Sequence, residues 1–283
     1  MRKLLKYDFN EVFKIWWIGT VAVIATSALG ATCLRVLLQM IESETVDSLP
    51  MTLIAISCML GVVASYFAII GYALVVLFSV MKRFYCHLFT DEGYLTFTLP
   101  VKRSALLGSK VLAAFLINMM SLVVEVVCLG FFFVAIYSFS PFVRHELLQT
   151  LTWGFEELSL VTHGFLPVYM AEFVLYLLAS SLFGTLFGFL CITIGSIVAK
   201  RQKILASIGI YYAGNMVVSG ATQIVFTILS NVSFLFFENF SGATRELVAL
   251  ALIGLFFVLA MAGLAVLCWF LILRLLKRRL NLA

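Results

Sequence analysis

Residues 51–81 read MTLIAISCMLGVVASYFAIIGYALVVLFSVM, and they decide the fold class. A helix rises 1.5 Å per residue and needs about 20 apolar residues to cross the hydrocarbon core of a bilayer. This stretch exceeds that length and lacks strand-type alternation, which favours a helix over a strand of a barrel. The sequence therefore predicts an all-α membrane protein with six transmembrane helices, at about 15–39, 51–81, 105–137, 167–199, 204–234 and 245–273.

The composition of the whole chain agrees with this class. Hydrophobic residues make up 63% of the 283 residues and charged residues 12%, whereas soluble domains have roughly 45–50% and 25%. These fractions exclude a soluble globular enzyme, a disordered chain and a coiled coil. Pro50 and Pro167 stand at helix starts, where proline is tolerated. A single transmembrane domain over residues 1–283 is expected.

The basic residues predict on which side of the membrane each connection lies. Sixteen of the 19 Lys and Arg residues lie at the two termini and in the second–third and fourth–fifth connections. Since cytoplasmic loops carry the excess of Lys and Arg, both termini are predicted to be cytoplasmic. The net charge of +5 is thus a topology signal, and no nucleic-acid partner is expected. In the absence of organelle signals, the sequence indicates a multi-pass protein of a bacterial plasma membrane.

Two helices are predicted to lie on the membrane surface. Residues 1–14 carry apolar side chains at three- and four-residue intervals among charged ones, which indicates an amphipathic helix on the inner surface. A short surface helix over 144–160 is predicted in the connection between the third and fourth spans.

Motifs for catalysis or nucleotide binding are not found in the chain. It has no G-x-x-x-x-G-K-[ST] phosphate loop, no H-E-x-x-H and no G-x-S-x-G elbow. We therefore expect no enzyme activity, no cofactor and no metal in this chain, and ATP hydrolysis only in a partner. His145 and His163 lie near outer glutamates, but surface loops often carry such residues. The six cysteines include no C-x-x-C pair, so they are expected to pack and not to form disulfides.

The connection between the second and third spans carries the most specific signal. Residues 84–104, here named the coupling loop, read FYCHLFTDEGYLTFTLPVKRS. Exposed apolar side chains in a cytoplasmic segment usually have a partner. Thr90, Asp91 and Glu92 have the N-cap and first-turn acids of a helix start, and Pro100 ends the segment. This pattern predicts a short helix parallel to the membrane, bracketed by two long spans, as suits a docking lever.

At these residues the sequence resembles the permease subunits of ABC-2-type transporters. Their first cytoplasmic loop commonly reads Glu-x-Gly-Thr-Leu-Glu-x-Leu-Leu-x-x-Pro-Val-Ser-Arg, with a Lys near the start of the third span. This chain is similar to small six-span permeases of Gram-positive bacteria, with departures at Tyr94, Thr96 and Lys102. The matching residues are Glu92, Gly93, Leu95, Leu99, Pro100, Val101, Arg103 and Lys110.

In that family the loop is a coupling helix that fits a groove in a separate ATPase subunit. The resemblance implies an ATP-driven exporter in which two permease chains, identical or different, form the path and the ATPase holds ATP and Mg. The cargo would be hydrophobic or amphipathic, such as a peptide antibiotic, a drug or a lipid-linked molecule. The resemblance also implies a coupling role for Asp91, Glu92, Gly93, Tyr94, Leu95, Leu99, Pro100 and Arg103.

Polar residues inside the spans are candidates for lining the path. Asn118, Ser121 and Glu125 share one face of the third span. An ionised carboxylate near the bilayer centre costs about 2.5–3.5 kcal/mol, so Glu125 should face protein or water. Two interpretations stay open for this face, a path lining and hydrogen bonds between helices. In the resembling family the second and fifth spans line the path, which would give this role to the polar stripe of Tyr211, Asn215, Ser219 and Gln223.

Two further patterns concern packing and the outer surface. Ser180, Gly184 and Gly188 recur at four-residue steps in the fourth span and predict a seam of small residues for close helix contact. The connection 231–242 is rich in phenylalanine. Its phenylalanines fit an interfacial aromatic belt, while the resemblance implies a re-entrant hairpin there.

Two other functions are kept as alternatives. An ion- or proton-coupled secondary transporter would use Glu125, and it would predict related halves or interrupted helices, which the sequence does not display. A non-transporting membrane scaffold or sensor would use the coupling loop to bind something other than an ATPase.

Overall fold

The structure is a computed structural model that describes residues 2–42, 49–90, 102–162, 165–199, 202–236 and 243–279. Within these ranges every regular element is an α-helix, and no strand occurs. The helices are α1 (Arg2–Glu42), α2 (Leu49–Phe89), α3 (Arg103–Tyr137), α4 (Pro141–Val161), α5 (Leu166–Val198), α6 (Lys203–Phe236) and α7 (Ala243–Arg279).

Six of these helices are long and apolar enough to cross a membrane, which confirms the prediction of six transmembrane helices. They are α1, α2, α3, α5, α6 and α7, and the remaining helix, α4, covers the predicted surface helix at 144–160. Helices α1 and α2 have 41 residues each. Such a helix is about 60 Å long, twice the thickness of the hydrocarbon core, so its ends reach well past the lipid tails.

The N-terminal segment differs from its prediction in one respect. Residues 2–14 are helical, but they belong to the same uninterrupted helix as the first span. The hydrophobic period runs through the expected boundary, and no proline or glycine interrupts the helix before Gly19. The amphipathic segment is therefore the first part of α1 and not a separate element.

The helices divide into two compact groups, each described by itself. The N-terminal group contains Arg2–Val80 and Leu116–Gly154. The C-terminal group contains the described residues of Met81–Phe115 and Phe155–Ala283. Helices α2 and α3 contribute to both groups, and the ends that flank the coupling loop belong to the C-terminal one.

Packing in the N-terminal group combines an apolar core with a close approach of α1 and α2. Ala31, Phe132 and Ala135 form the core, and Tyr66 stacks on Phe132 with ring centroids 4.7 Å apart. Gly30 faces Ser65 across the two helices, and a side chain at Gly30 would collide with it. Small residues thus let the two backbones approach, as is common in membrane helix pairs.

The C-terminal group is organised around α5, which packs along α7 and α6. Gly188 lies against the Met81 thioether of α2, and Gly195 lies against the backbone of Ser207 at the start of α6. The C-terminal half of α5 is the best buried part of any span. Its buried residues are Phe183, Thr185, Leu186, Gly188, Phe189, Leu190, Cys191, Ile192, Thr193 and Gly195.

Candidate functional site

The coupling residues predicted from the sequence lie mostly outside the described residues. Arg103 is described and begins α3. The prediction for the loop itself stays a prediction. The residues that fall outside the described ranges are Asp91, Glu92, Gly93, Tyr94, Leu95, Leu99 and Pro100.

The helix ends on both sides of residues 91–101 are firmly packed. Phe84, near the end of α2, stacks face to face on Phe189 of α5, with ring centroids 3.9 Å apart and planes inclined by 5°. Both rings are 1% exposed. On the other side, Leu107 and Lys110 of α3 are also buried. Residues 84–89 of the predicted coupling loop therefore continue α2, and the described helix ends on both sides of residues 91–101 are packed, that of α2 directly against α5.

A buried polar cluster joins three helices of the N-terminal group. The Trp16 indole of α1 donates a hydrogen bond of 2.9 Å to the Ser121 hydroxyl of α3. The Thr20 hydroxyl of α1 lies 2.9 Å from the Tyr72 hydroxyl of α2. Thr20 in turn donates to the Trp16 carbonyl, and Ser121 to the Ile117 carbonyl. All four polar side chains are thereby satisfied, as buried polar groups require.

This cluster supports one of the two interpretations of Ser121. The hydroxyl is buried and accepts a hydrogen bond from a neighbouring helix, as interhelical bonding predicts. A cavity of about 10 Å³ adjoins the cluster, between Val12, Val76 and Ile117. That volume holds at most one water molecule. Trp16, Thr20 and Tyr72 were not predicted, because nothing in one helix indicates which polar groups of another will meet it.

Asn118 and Glu125 lie on the same helix as Ser121 and are half-buried. Within the described part of the chain, no hydrogen bond or ion pair holds the Glu125 carboxylate. An ionised carboxylate without a partner is costly inside a bilayer. Glu125 therefore remains a candidate for a role in transport as well as in packing.

The polar stripe of α6 becomes more exposed along its length. Tyr211 is half-buried and packs near Phe187 of α5, with ring centroids 5.9 Å apart. Asn215 is half-buried as well, whereas Ser219 and Gln223 are exposed. The Ser219 hydroxyl donates only to the Met216 carbonyl of its own helix, at 3.2 Å. Two predicted residues of the stripe thus present polar groups to whatever surrounds this chain.

Helices α2 and α6 are the least buried spans. Only 6% of the most apolar window of each is buried, against 50% for α5. For α2 this exposure is unremarkable, since its surface is strongly apolar. Helix α6 has the lowest hydropathy of the six spans. Its exposed polar stripe is therefore a candidate for contact with water or with a second chain.

The seam of small residues on α5 needs a correction. Gly188 makes the predicted close contact, and Ser180 bonds its own helix through the Leu177 carbonyl. No described atom comes within 4 Å of the position that a Cβ on Gly184 would take. The second close contact is instead at Gly195, seven residues after Gly188. Residues seven apart lie on nearly the same face, because seven residues make almost two full turns of the helix. Residues four apart differ in direction by about 40° around the helix axis.

Near the start of α5, two polar side chains contact α7. The Tyr169 hydroxyl donates a hydrogen bond of 2.6 Å to the Leu247 carbonyl. The Glu172 carboxylate lies against Gly254, where the missing side chain leaves room for it. These contacts hold the N-terminal part of α5 on α7, so the two polar side chains have a structural role.

No known protein family, curated protein or solved structure matches this chain. The six spans, the packed helix ends on both sides of residues 91–101 and the exposed polar stripe are therefore the basis for proposing a function.

Proposed function

We propose that this chain is the permease subunit of an ATP-driven ABC-2-type exporter, driven by a separate ATPase subunit. The observation that carries the proposal is the Glu92–Arg103 motif, placed between two helix ends that are both anchored in the C-terminal group. A lever needs stiff arms on both sides of its contact point. The stack of Phe84 on Phe189 and the buried start of α3 supply such arms.

In this proposal the ATPase binds the coupling loop from the cytoplasm. ATP binding closes the ATPase subunits and displaces the loop, and α2 and α3 carry the displacement into the membrane as a rigid-body change. Helix α2 is one helix over its 41 residues, which suits this transmission. The permease itself supplies no nucleotide site, and ATP and Mg stay in the partner.

The polar stripe of α6 supports a path lined partly by this helix. An exposed span with polar groups is stable only where water or a second chain covers it. In a dimer of permease chains, the exposed polar stripe of α6 would line the path. Such a surface, with polar groups on an otherwise apolar helix, suits an amphipathic or hydrophobic cargo that is exported from a bacterial plasma membrane.

The proposal is tested by purifying the tagged chain from its native membrane under mild detergent. We expect an ATPase subunit in stoichiometric amount, identified by mass spectrometry, with ATP hydrolysis in the purified complex. Replacing Glu92 with Ala and Leu95 with Lys removes two contacts expected from the motif. The double variant should lose the ATPase while keeping the elution volume of the folded permease.

A matched control separates the coupling loop from loops in general. Replacing Glu156 with Ala and Leu158 with Lys puts the same changes on the exposed helix α4. This variant should keep the ATPase. Purification of the native chain without any ATPase, or equal loss in both variants, would overturn the proposal.

Glu125 favours one alternative, a proton-coupled secondary transporter. Its half-buried carboxylate has the placement that such a mechanism requires. Reconstituted vesicles with a pH gradient and no ATPase distinguish the two functions. Proton-driven cargo movement that the Glu125→Gln variant abolishes would establish the alternative, and ATP-driven movement that survives this variant would exclude it.

A further inference from the structure

Two cysteines that are far apart in the sequence meet between α1 and α2. The Cys33 sulfur of α1 lies against the turn of α2 that carries Cys58. A Cβ on Gly61, which is three residues after Cys58 and on the same face of α2, would lie 3.0 Å from the Cys33 sulfur. Both thiols belong to the N-terminal group and are half-buried, so neither is sealed in a core.

The two cysteines also lie at matching levels along their helices. Cys33 is nine residues before Glu42, the last residue of α1, and Cys58 is nine residues after Leu49, the first residue of α2. The pair thus lies about 13 Å from either helix end along the helix axis. Both helices are longer than the hydrocarbon core requires. A small reagent that partitions into the outer part of the membrane can therefore reach these thiols.

We propose that Cys33 and Cys58 form a thiol–disulfide modification site, at which a small, lipid-soluble disulfide links α1 to α2. One thiolate of the pair attacks a sulfur of the reagent and expels the first small thiol. The second thiolate then attacks the mixed disulfide, so that the Cys33–Cys58 bond forms and the second small thiol leaves. Two protein thiols are oxidised, and one reagent disulfide is reduced to two thiols.

A second pair in the chain provides an internal comparison. Cys191 of α5 and Cys268 of α7 lie on two helices that pack together, and both are buried in the C-terminal group. Exchange needs access of the reagent as well as proximity of the thiols. The half-buried pair should therefore react, and the buried pair should not. The proposal concerns the α1–α2 contact alone and does not depend on the proposed transport function.

The experiment uses the full chain in mild detergent and 2,2′-dithiodipyridine as the small disulfide. Released thiopyridone is followed by absorbance, and the remaining thiols are blocked with N-ethylmaleimide. A Glu-specific protease then cleaves at Glu42 and Glu44, between the two cysteines. We expect three equivalents of thiopyridone in the fast phase, two from Cys33 and Cys58 and one from the half-buried Cys86, together with a Cys33–Cys58 linked peptide that dithiothreitol separates. Linkage of Cys191 to Cys268 should be at least about tenfold slower.

Variants make the assignment specific. Cys33→Ser should leave Cys58 as a stable mixed disulfide, with two equivalents of thiopyridone in total, one of them from Cys86, and no linked peptide. Cys268→Ser should leave the fast phase and the Cys33–Cys58 peptide unchanged. The proposal is wrong if Cys58 remains fully available to N-ethylmaleimide in the native chain. It is also wrong if the Cys191–Cys268 link forms as fast, or if Cys58 links to a cysteine other than Cys33.

Discussion

Helices α5 and α6 follow one another along the chain, yet they differ strongly in how much of their surface is buried. Half of the apolar window of α5 is buried, against 6% of that of α6. Helix α6 is nevertheless the less hydropathic of the two. In a soluble protein the more polar helix would simply face water. Inside a bilayer, the same arrangement indicates that α6 needs a wet or protein-covered face, and this requirement is the physical basis for placing it at a transport path.

The packing of α5 shows what holds a span in place when lipid is as apolar as the core. Its buried half combines the Phe84–Phe189 stack with close contacts at Gly188 and Gly195. Van der Waals contact, and not removal from water, drives such association. Changes to α5 should therefore affect stability, and changes to α6 should affect function.

The largest effect is expected for Phe189→Ala. Loss of a fully buried ring should lower the free energy of unfolding by about 3–5 kcal/mol, as in other cores. The melting temperature of the detergent-solubilised chain measures this change. Phe226→Ala on α6 is the matched control, because that ring is 53% exposed. It should change the free energy by at most about 0.5 kcal/mol. Equal losses would remove the contrast between the two helices.

A smaller loss is expected for Gly195→Leu. A Cβ at this position would lie 2.7 Å from the backbone nitrogen of Ser207, which cannot move aside as a flexible side chain would. Overpacking of this kind costs about 1–3 kcal/mol. Gly209→Leu on α6 serves as the control, since no described atom lies within 4 Å of its Cβ position. Thermal unfolding monitored by size-exclusion chromatography should separate the two variants, and identical profiles would contradict the assignment of the contact.

Two serine substitutions compare a buried hydroxyl with one on α6, and both should change the free energy of unfolding less than the substitutions above. Ser121→Ala removes the acceptor of the Trp16 indole and should cost about 0.6 kcal/mol, the average for a hydrogen bond between membrane helices. Ser219→Ala on α6 removes a hydroxyl that bonds only its own helix. It should leave stability unchanged within error. A larger loss for Ser219 than for Ser121 would mean that the polar stripe is a packing feature.

The smallest effect on stability is expected for Gln223→Leu, an exposed position on α6. Removing a polar group from a surface that faces lipid should be neutral or stabilising. Removing it from a wet path should instead lower ATP-driven cargo transport in reconstituted vesicles while the melting temperature stays the same. Undiminished transport would place Gln223 outside the path.

Much of the fold could be predicted from the sequence because each span is encoded locally. The length and the hydropathy of a span such as 51–81 can be read directly from its own residues. The helix α4 likewise follows from the polar residues around Glu156. The boundary between residues 1–14 and the first span could not be predicted, because both parts have helical periodicity and nothing between them ends a helix.

The contacts between helices were harder to predict. The meeting of Trp16, Tyr72 and Ser121 depends on the rotation of three helices about their axes, which a uniformly apolar surface does not specify. The same holds for Cys33 and Cys58. The glycine seam on α5 was predicted with the right chemistry, but its register was wrong at Gly184. A repeat of seven residues, as between Gly188 and Gly195, was the better signal.

The most direct test of the proposed role of α6 asks whether its polar stripe meets water in the native membrane. Ser219→Cys and Gln223→Cys place thiols on the stripe, and Val217→Cys and Ile224→Cys place them on the opposite, equally exposed face. The measurement is labelling of membrane vesicles by a charged maleimide that reacts only in water, mapped by mass spectrometry above the level of the unmodified chain. A polar stripe that meets water predicts labelling at 219 and 223 and none at 217 and 224. Labelling that does not distinguish the two faces, or that is absent from both, would contradict it.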